Sequence, residues 1–144
     1  MFTDNSSILV AYDGSELSQK ALKYAENIAK SNPKMNLHIL TVKPLPVYYS
    51  IYTAPVYDHV EEEAMAYLKN LLKTAVEQIH VTNPVETHLL TGAPAKTIVD
   101  FTKEHQIDLI IMGSRGLGSV KELFLGSVSH YVVQSAKCPV LIIK

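Results

Sequence analysis

The sequence predicts a single-domain α/β fold, a doubly wound sheet of five parallel strands with helices on both faces. Three observations point there. Short apolar runs alternate five times with segments whose apolar residues recur at helical spacing, the pattern of strands joined by crossover helices. One of those runs, residues 107–112, is almost wholly apolar, as a central strand covered on both faces must be. Finally, 144 residues with 47% hydrophobic and 19% charged side chains suit one domain with its own core. A chain of this length buries roughly 70% of the surface it exposes when unfolded.

In chain order, residues 8–12 form a short apolar strand closed by the turn residues Asp13 and Gly14. Leu17, Ala21, Leu22, Ala25, Ile28 and Ala29 follow at helical spacing, with Ser15 placed as the N-cap. Residues 37–42 make a second strand, stopped by Lys43 and Pro44. Residues 43–59 hold Pro44, Pro46 and Pro55 with Tyr48, Tyr49, Tyr52 and Tyr57, and read as one long loop. Such a loop is either a surface cover or a lid that docks a ligand or a protein partner.

The longest helical pattern spans 60–79, with Val60, Ala64, Leu68, Leu71, Leu72, Ala75 and Ile79 on one stripe. Glu61, Glu62 and Glu63 read as its first turn, where negative charge suits the helix dipole. Residues 85–90 alternate, Val85, Thr87 and Leu89 against Glu86 and His88, as a half-exposed edge strand with His88 on its outer face. Ala95, Ile98, Val99 and Thr102 mark a helix from Pro94, another helix follows Ser127, and Val140–Ile143 is the last strand. No repeat or linker divides the chain, so 1–144 reads as one domain.

Composition narrows the function. Thirteen Lys and Arg against fourteen Asp and Glu give a net charge of -1, which argues against a protein that coats nucleic acid or an anionic membrane. The single cysteine, Cys138, excludes an intrachain disulfide and C-x-x-C chemistry, and reads as a small hydrophobe. Residues 1–5 resemble no signal peptide, and no apolar run nears the roughly 20 residues of a membrane span. The expectation is a soluble cytoplasmic protein. His38, His59, His80, His88, His105 and His130 show no ligand spacing, and no metal ligand set emerges from the sequence.

Chemistry concentrates in the glycines. Of six, Gly113, Gly116 and Gly118 cluster directly after the central strand, where backbone N–H groups can approach an anion with no Cβ in the way. Gly126 and Ser127 then open a helix; the Ser127 hydroxyl is placed to cap it, and its N-terminal N–H groups offer an anion site. The cluster is not a Walker A loop, since Ser119 and Val120 stand where Lys and Ser/Thr are required. Asp13 in the first strand-to-helix turn would repel a pyrophosphate. It could accept hydrogen bonds from ribose hydroxyls or share a divalent cation.

Ligands of such sheets bind outside the carboxyl ends of the strands, where the strand order reverses. If strands one and four are neighbours there, Asp13 and the Gly113 turn face one crevice, with Val42 as an apolar wall for a base. Each residue has a plainer reading: turn glycines for Gly113 and Gly116, an Asx turn for Asp13, a helix cap for Ser127, a solvated charge for Arg115.

Gly113-x-x-Gly116, nine residues, then Gly126-Ser127 resembles the G-x2-G-x9-G-[S/T] motif of the universal stress protein family's ATP-binding members. Residues 8–14 are similar to the family's first strand and 136–141 to its last connection and strand, so the likeness covers nearly the whole chain. The resemblance implies strand order 3-2-1-4-5, ATP held with Mg²⁺ or Mn²⁺, and a homodimer. It implies Ala11 and Asp13 on the nucleoside side and Val42 at the adenine. Met112, Gly113, Arg115, Gly116, Gly126, Ser127, Val128 and Ser129 would surround ribose and phosphates.

The last strand supports the dimer, because an uncovered apolar edge at Val140, Leu141, Ile142 and Ile143 invites pairing with a second copy. The leading expectation is an ATP-binding stress-response regulatory module. The alternatives are a slow ATP hydrolase, for which no catalytic base can be named, and a nucleotide-free interaction module working through residues 43–59.

Overall fold

The computed structural model describes residues 2–46, 54–117, 122 and 124–144, with the backbone alone for 54–57. Nine elements follow in order: β1 (Ser7–Ala11), α1 (Glu16–Ser31), β2 (Asn36–Lys43), α2 (Ala54–Gln78), β3 (Val85–Thr91), α3 (Pro94–Glu104), β4 (Leu109–Gly113), α4 (Ser127–Ser135) and β5 (Val140–Ile143). The five strands form one parallel sheet in the order β3-β2-β1-β4-β5. The chain starts in the middle, winds outward to β3, then crosses back to β4 and β5. The reversal of order lies between β1 and β4.

Two cores flank the sheet. Ala21, Leu22 and Ala25 of α1 with Leu72 and Ala75 of α2 cover Ile8, Val10, Ile39 and Ile111 on one face. Ile98, Val99 and Phe101 of α3 with Val132 of α4 cover Leu9, Leu40, Ile110 and Met112 on the other. The apolar run 107–112 therefore sits where its composition demands: all five residues of β4 are buried. Each fully buried Leu or Ile contributes about 1.5–3 kcal/mol over its exposed state.

Local chemistry sets the element ends. Ser15 caps α1, its hydroxyl accepting the Ser18 N–H at 3.3 Å. Pro94 occupies the first turn of α3, where no N–H is needed. Glu26 is wholly buried on α1, yet three donors reach it: Lys23 Nζ at 2.8 Å, Lys30 Nζ at 2.7 Å and the His80 N–H at 3.1 Å. The two ammonium groups hold its carboxyl down at about 2.

Three expectations are corrected. Helix α2 begins at Ala54, not at residue 60, so the end of the presumed 43–59 loop is helical. Pro55 lies in its first turn, a position where proline starts helices rather than breaking them. Glu61 is consequently two turns into α2, and it pairs with the buried Lys43 at the end of β2 instead of meeting the helix dipole. Tyr48, Tyr49 and Tyr52 lie outside the described residues, as do Gly118, Ser119 and Val120.

The third correction concerns His88, which points inward beneath α3. Its side chain is 17% exposed and its ring packs edge-on to Phe101 at 4.6 Å. Thr87, expected inside, is exposed. Burial pushes the His38 and His88 imidazoles below the usual histidine range. No described helix is long and apolar enough to cross a membrane.

Candidate functional site

A crevice of about 380 Å³ opens at the carboxyl ends of β1 and β4, at the reversal of strand order. Ala11, Asp13, Val42, Met112, Gly113, Arg115, Gly116, Gly126, Ser127, Val128 and Ser129 all line it. The sheet brings them together because β1 lies directly between β2 and β4, pairing Val10 with Ile39 and Ile111.

Asp13 ties the first turn to the glycine turn. Its Oδ1 accepts the Ser15 N–H at 2.9 Å, which is the Asx turn, and its Oδ2 accepts the Leu117 N–H at 3.1 Å across 104 residues. A carboxylate has about four acceptor positions, so both oxygens can still accept from a ligand. Gly116 makes this contact possible: a Cβ there would stand 2.5 Å from Oδ2. At Gly113 a Cβ would stand 2.7 Å from the Leu17 Cβ and 3.0 Å from the Arg115 carbonyl oxygen. Close packing against Leu17 and the backbone thus requires Gly113, while Gly116 is required only for Asp13 to keep its bond to Leu117. Asp13 is the only carboxylate among the described residues that line the crevice.

The second side of the crevice is the start of α4. Ser127 is the first helical residue and Gly126 is the N-cap, with no side-chain cap bond, so the expected capping role of the Ser127 hydroxyl is not what forms this helix end. The first backbone bond of the helix runs from the His130 N–H to the Gly126 carbonyl. By position, the N–H groups of Ser127, Val128 and Ser129 therefore have no partner within the helix. Ser129 is 2% exposed, and its hydroxyl faces the Ser114 carbonyl at 2.7 Å and the Gly126 carbonyl at 3.0 Å. With the Gly126 N–H donating to the same Ser114 oxygen at 2.7 Å, it locks the helix start onto the glycine turn.

The third side is apolar. β1 ends at Ala11, opposite Leu40, while β2 runs on to Lys43. The Leu40 carbonyl accepts the Tyr12 N–H on the β1 side, and backbone direction alternates along a strand, so Val42 turns its N–H and C=O to that side as well. Leu40, Ile98 and Pro94 complete the wall, and Tyr67 and Leu68 of α2 close it from the opposite face. The sequence reading singled out none of these five for the site, and for the four from α2 and α3 helix orientation over a strand end leaves no local signal. Arg115 is half-buried at the rim.

The model of the universal stress protein family matches residues 5–144. The chain is 38% identical to the universal stress protein YxiE of Bacillus subtilis, covering 96% of this chain and 99% of that one. Among solved structures, universal stress protein UspA of Lactobacillus plantarum superposes with a TM-score of 0.78 at 33% identity, over 96% of this chain and 97% of that one. A family protein of Arabidopsis thaliana with AMP bound gives 0.67 at 27% identity, over 96% and 91%. A universal stress protein in complex with cAMP gives 0.60 at 27%, over 96% of both.

Proposed function

The chain belongs to the universal stress protein family, and on that basis we propose that the crevice is an ATP site of a stress-response regulatory module. The observation that carries this is convergence. One hydrogen-bond donor surface (turn 113–116 and the start of α4), one carboxylate (Asp13) and one apolar wall (Val42, Leu40, Ile98) meet in a single crevice of nucleotide-pocket size. AMP and cAMP in two neighbours make an adenine nucleotide the natural ligand class.

Each side then has a task. Val42 and Ala11 flank the adenine, and the outward N–H and C=O of Val42 supply a donor and an acceptor for its edge. Asp13 accepts from the ribose hydroxyls. The N–H groups of Gly113, Gly116, Ser127, Val128 and Ser129 receive the phosphates, helped by the α4 dipole and by Arg115. Met112 forms the floor. A single carboxylate among the described lining residues suits Mg²⁺ or Mn²⁺, which take few protein ligands and complete their shells with phosphate oxygens and water.

The reading is of a binder. Hydrolysis needs a group that orients the attacking water, and in this reading the remaining acceptor positions of Asp13, the one carboxylate among the described lining residues, are taken by the nucleotide. Any turnover by the chain alone is slow. The functional unit is a homodimer joined along Val140, Leu141, Ile142 and Ile143 of β5, one of the two edge strands.

The test is an amide-resonance titration with ATP and Mg²⁺. Shifts concentrated at Val42, 113–116 and 127–129 are expected. Shifts confined to other surfaces, or none, overturn the assignment.

A further inference from the structure

Outside the crevice lining, the sheet brings together residues that the sequence leaves scattered. In the register of β2 and β3, His38 stands opposite Glu86, and Leu40 opposite His88. His38, Glu86 and His88 thus share one sheet face near the amino-terminal ends of the strands. His38 Nδ1 lies 3.0 Å from His88 Nε2, and Glu86 Oε2 lies 3.9 Å from the first and 3.8 Å from the second. None of the three lines the crevice.

We infer that His38, Glu86 and His88 form a binding site for a divalent transition-metal ion of the zinc type. The three ligand atoms define a triangle whose centre is about 2.1 Å from each, the ordinary Zn–N and Zn–O bond length. The two nitrogens share a hydrogen bond while the carboxylate stands too far from either for one, and a cation between them would replace that bond and bring all three into direct bonding. Two imidazole nitrogens and one carboxylate oxygen are a recognised zinc donor set that leaves a position open for water. The scaffold is rigid, since β3 pairs with β2 along its whole length and both rings pack against Phe101, at 5.9 and 4.6 Å. The Glu86 side chain is 62% exposed, so an ion can enter from solvent.

The test is equilibrium dialysis of the nucleotide-free full chain against micromolar ZnCl₂, with metal content measured. One zinc per chain is expected, undiminished in His130→Gln and abolished in His88→Gln. Glu86→Gln lies on the surface and leaves the buried rings in place, so it carries the test should the histidine variant fail to fold. It weakens binding about tenfold or more. Co²⁺ in place of zinc gives the strong visible absorption of a low-coordinate site, lost in Glu86→Gln. Retention of no zinc, or equal retention by Glu86→Gln and the parent chain, overturns the proposal. Neither result bears on ATP binding.

Discussion

Gly116 and Asp13 show how much a single missing atom group can govern. A Cβ on Gly116 enters the space of the Asp13 Oδ2, which already accepts the Leu117 N–H. Gly116→Ala is therefore expected to turn the carboxylate away and lower ATP affinity about tenfold or more, roughly 1.4 kcal/mol, with little loss of stability because the residue is exposed. Titration calorimetry and thermal unfolding on the same sample separate the two. Gly113→Ala behaves differently: its Cβ meets Leu17 at the start of α1, so it costs about 1–3 kcal/mol of stability, read by urea unfolding. Glu26 makes a prediction about pH. Its folded value near 2 lies below the ordinary 4.5, so its contribution is complete above pH 4.5 and is lost as pH falls toward 2. Glu26→Gln is expected to flatten that part of the stability curve. An acid profile parallel to the parent chain's would contradict the buried ion cluster. At this level the glycine spacing and Asp13 were readable in the chain, whereas the inward turn of His88 was not. It depends on Phe101 of α3 packing over His88, which residues 85–90 do not encode.

Elements were mostly readable because apolar periodicity and turn residues coincide: Ser15 before α1, Pro94 at the head of α3, the unbroken apolar run of β4. The miss at α2 has a physical reason. Prolines and tyrosines suggested a loop up to residue 59, but Pro55 stands where a helix begins. β5 carries the element-level prediction. The carbonyls of Pro139 and Ile143 accept from Ile110 of β4 and from Ser114 just after it, so the backbone of Ile142, by alternation, faces the open edge. Ile142→Pro removes an outward N–H while leaving the β4 ladder intact. A chain that pairs through this edge becomes monomeric or insoluble when so changed. A soluble, folded dimer of the variant, seen by light scattering, would contradict pairing through β5.

For the whole molecule, the alternation of strands and helices dictates a parallel sheet, and the order β3-β2-β1-β4-β5 puts the reversal beside β1. That one topological fact gathers Asp13, Val42, the glycine turn and the start of α4, which together span more than a hundred residues of the chain. The walls from α2 and α3 follow from how helices settle on the sheet, and no periodicity specifies that. A ligand that binds only the folded chain stabilises it, so ATP at about a hundred times its Kd should add about 2.7 kcal/mol to unfolding. The most direct measurement is a calorimetric titration of nucleotide-stripped protein with ATP and Mg²⁺. Binding of one ATP per chain at micromolar Kd, near -8 kcal/mol at about 1 μM, and weakened in Gly116→Ala, is the predicted result; a folded protein that takes up no ATP would contradict it.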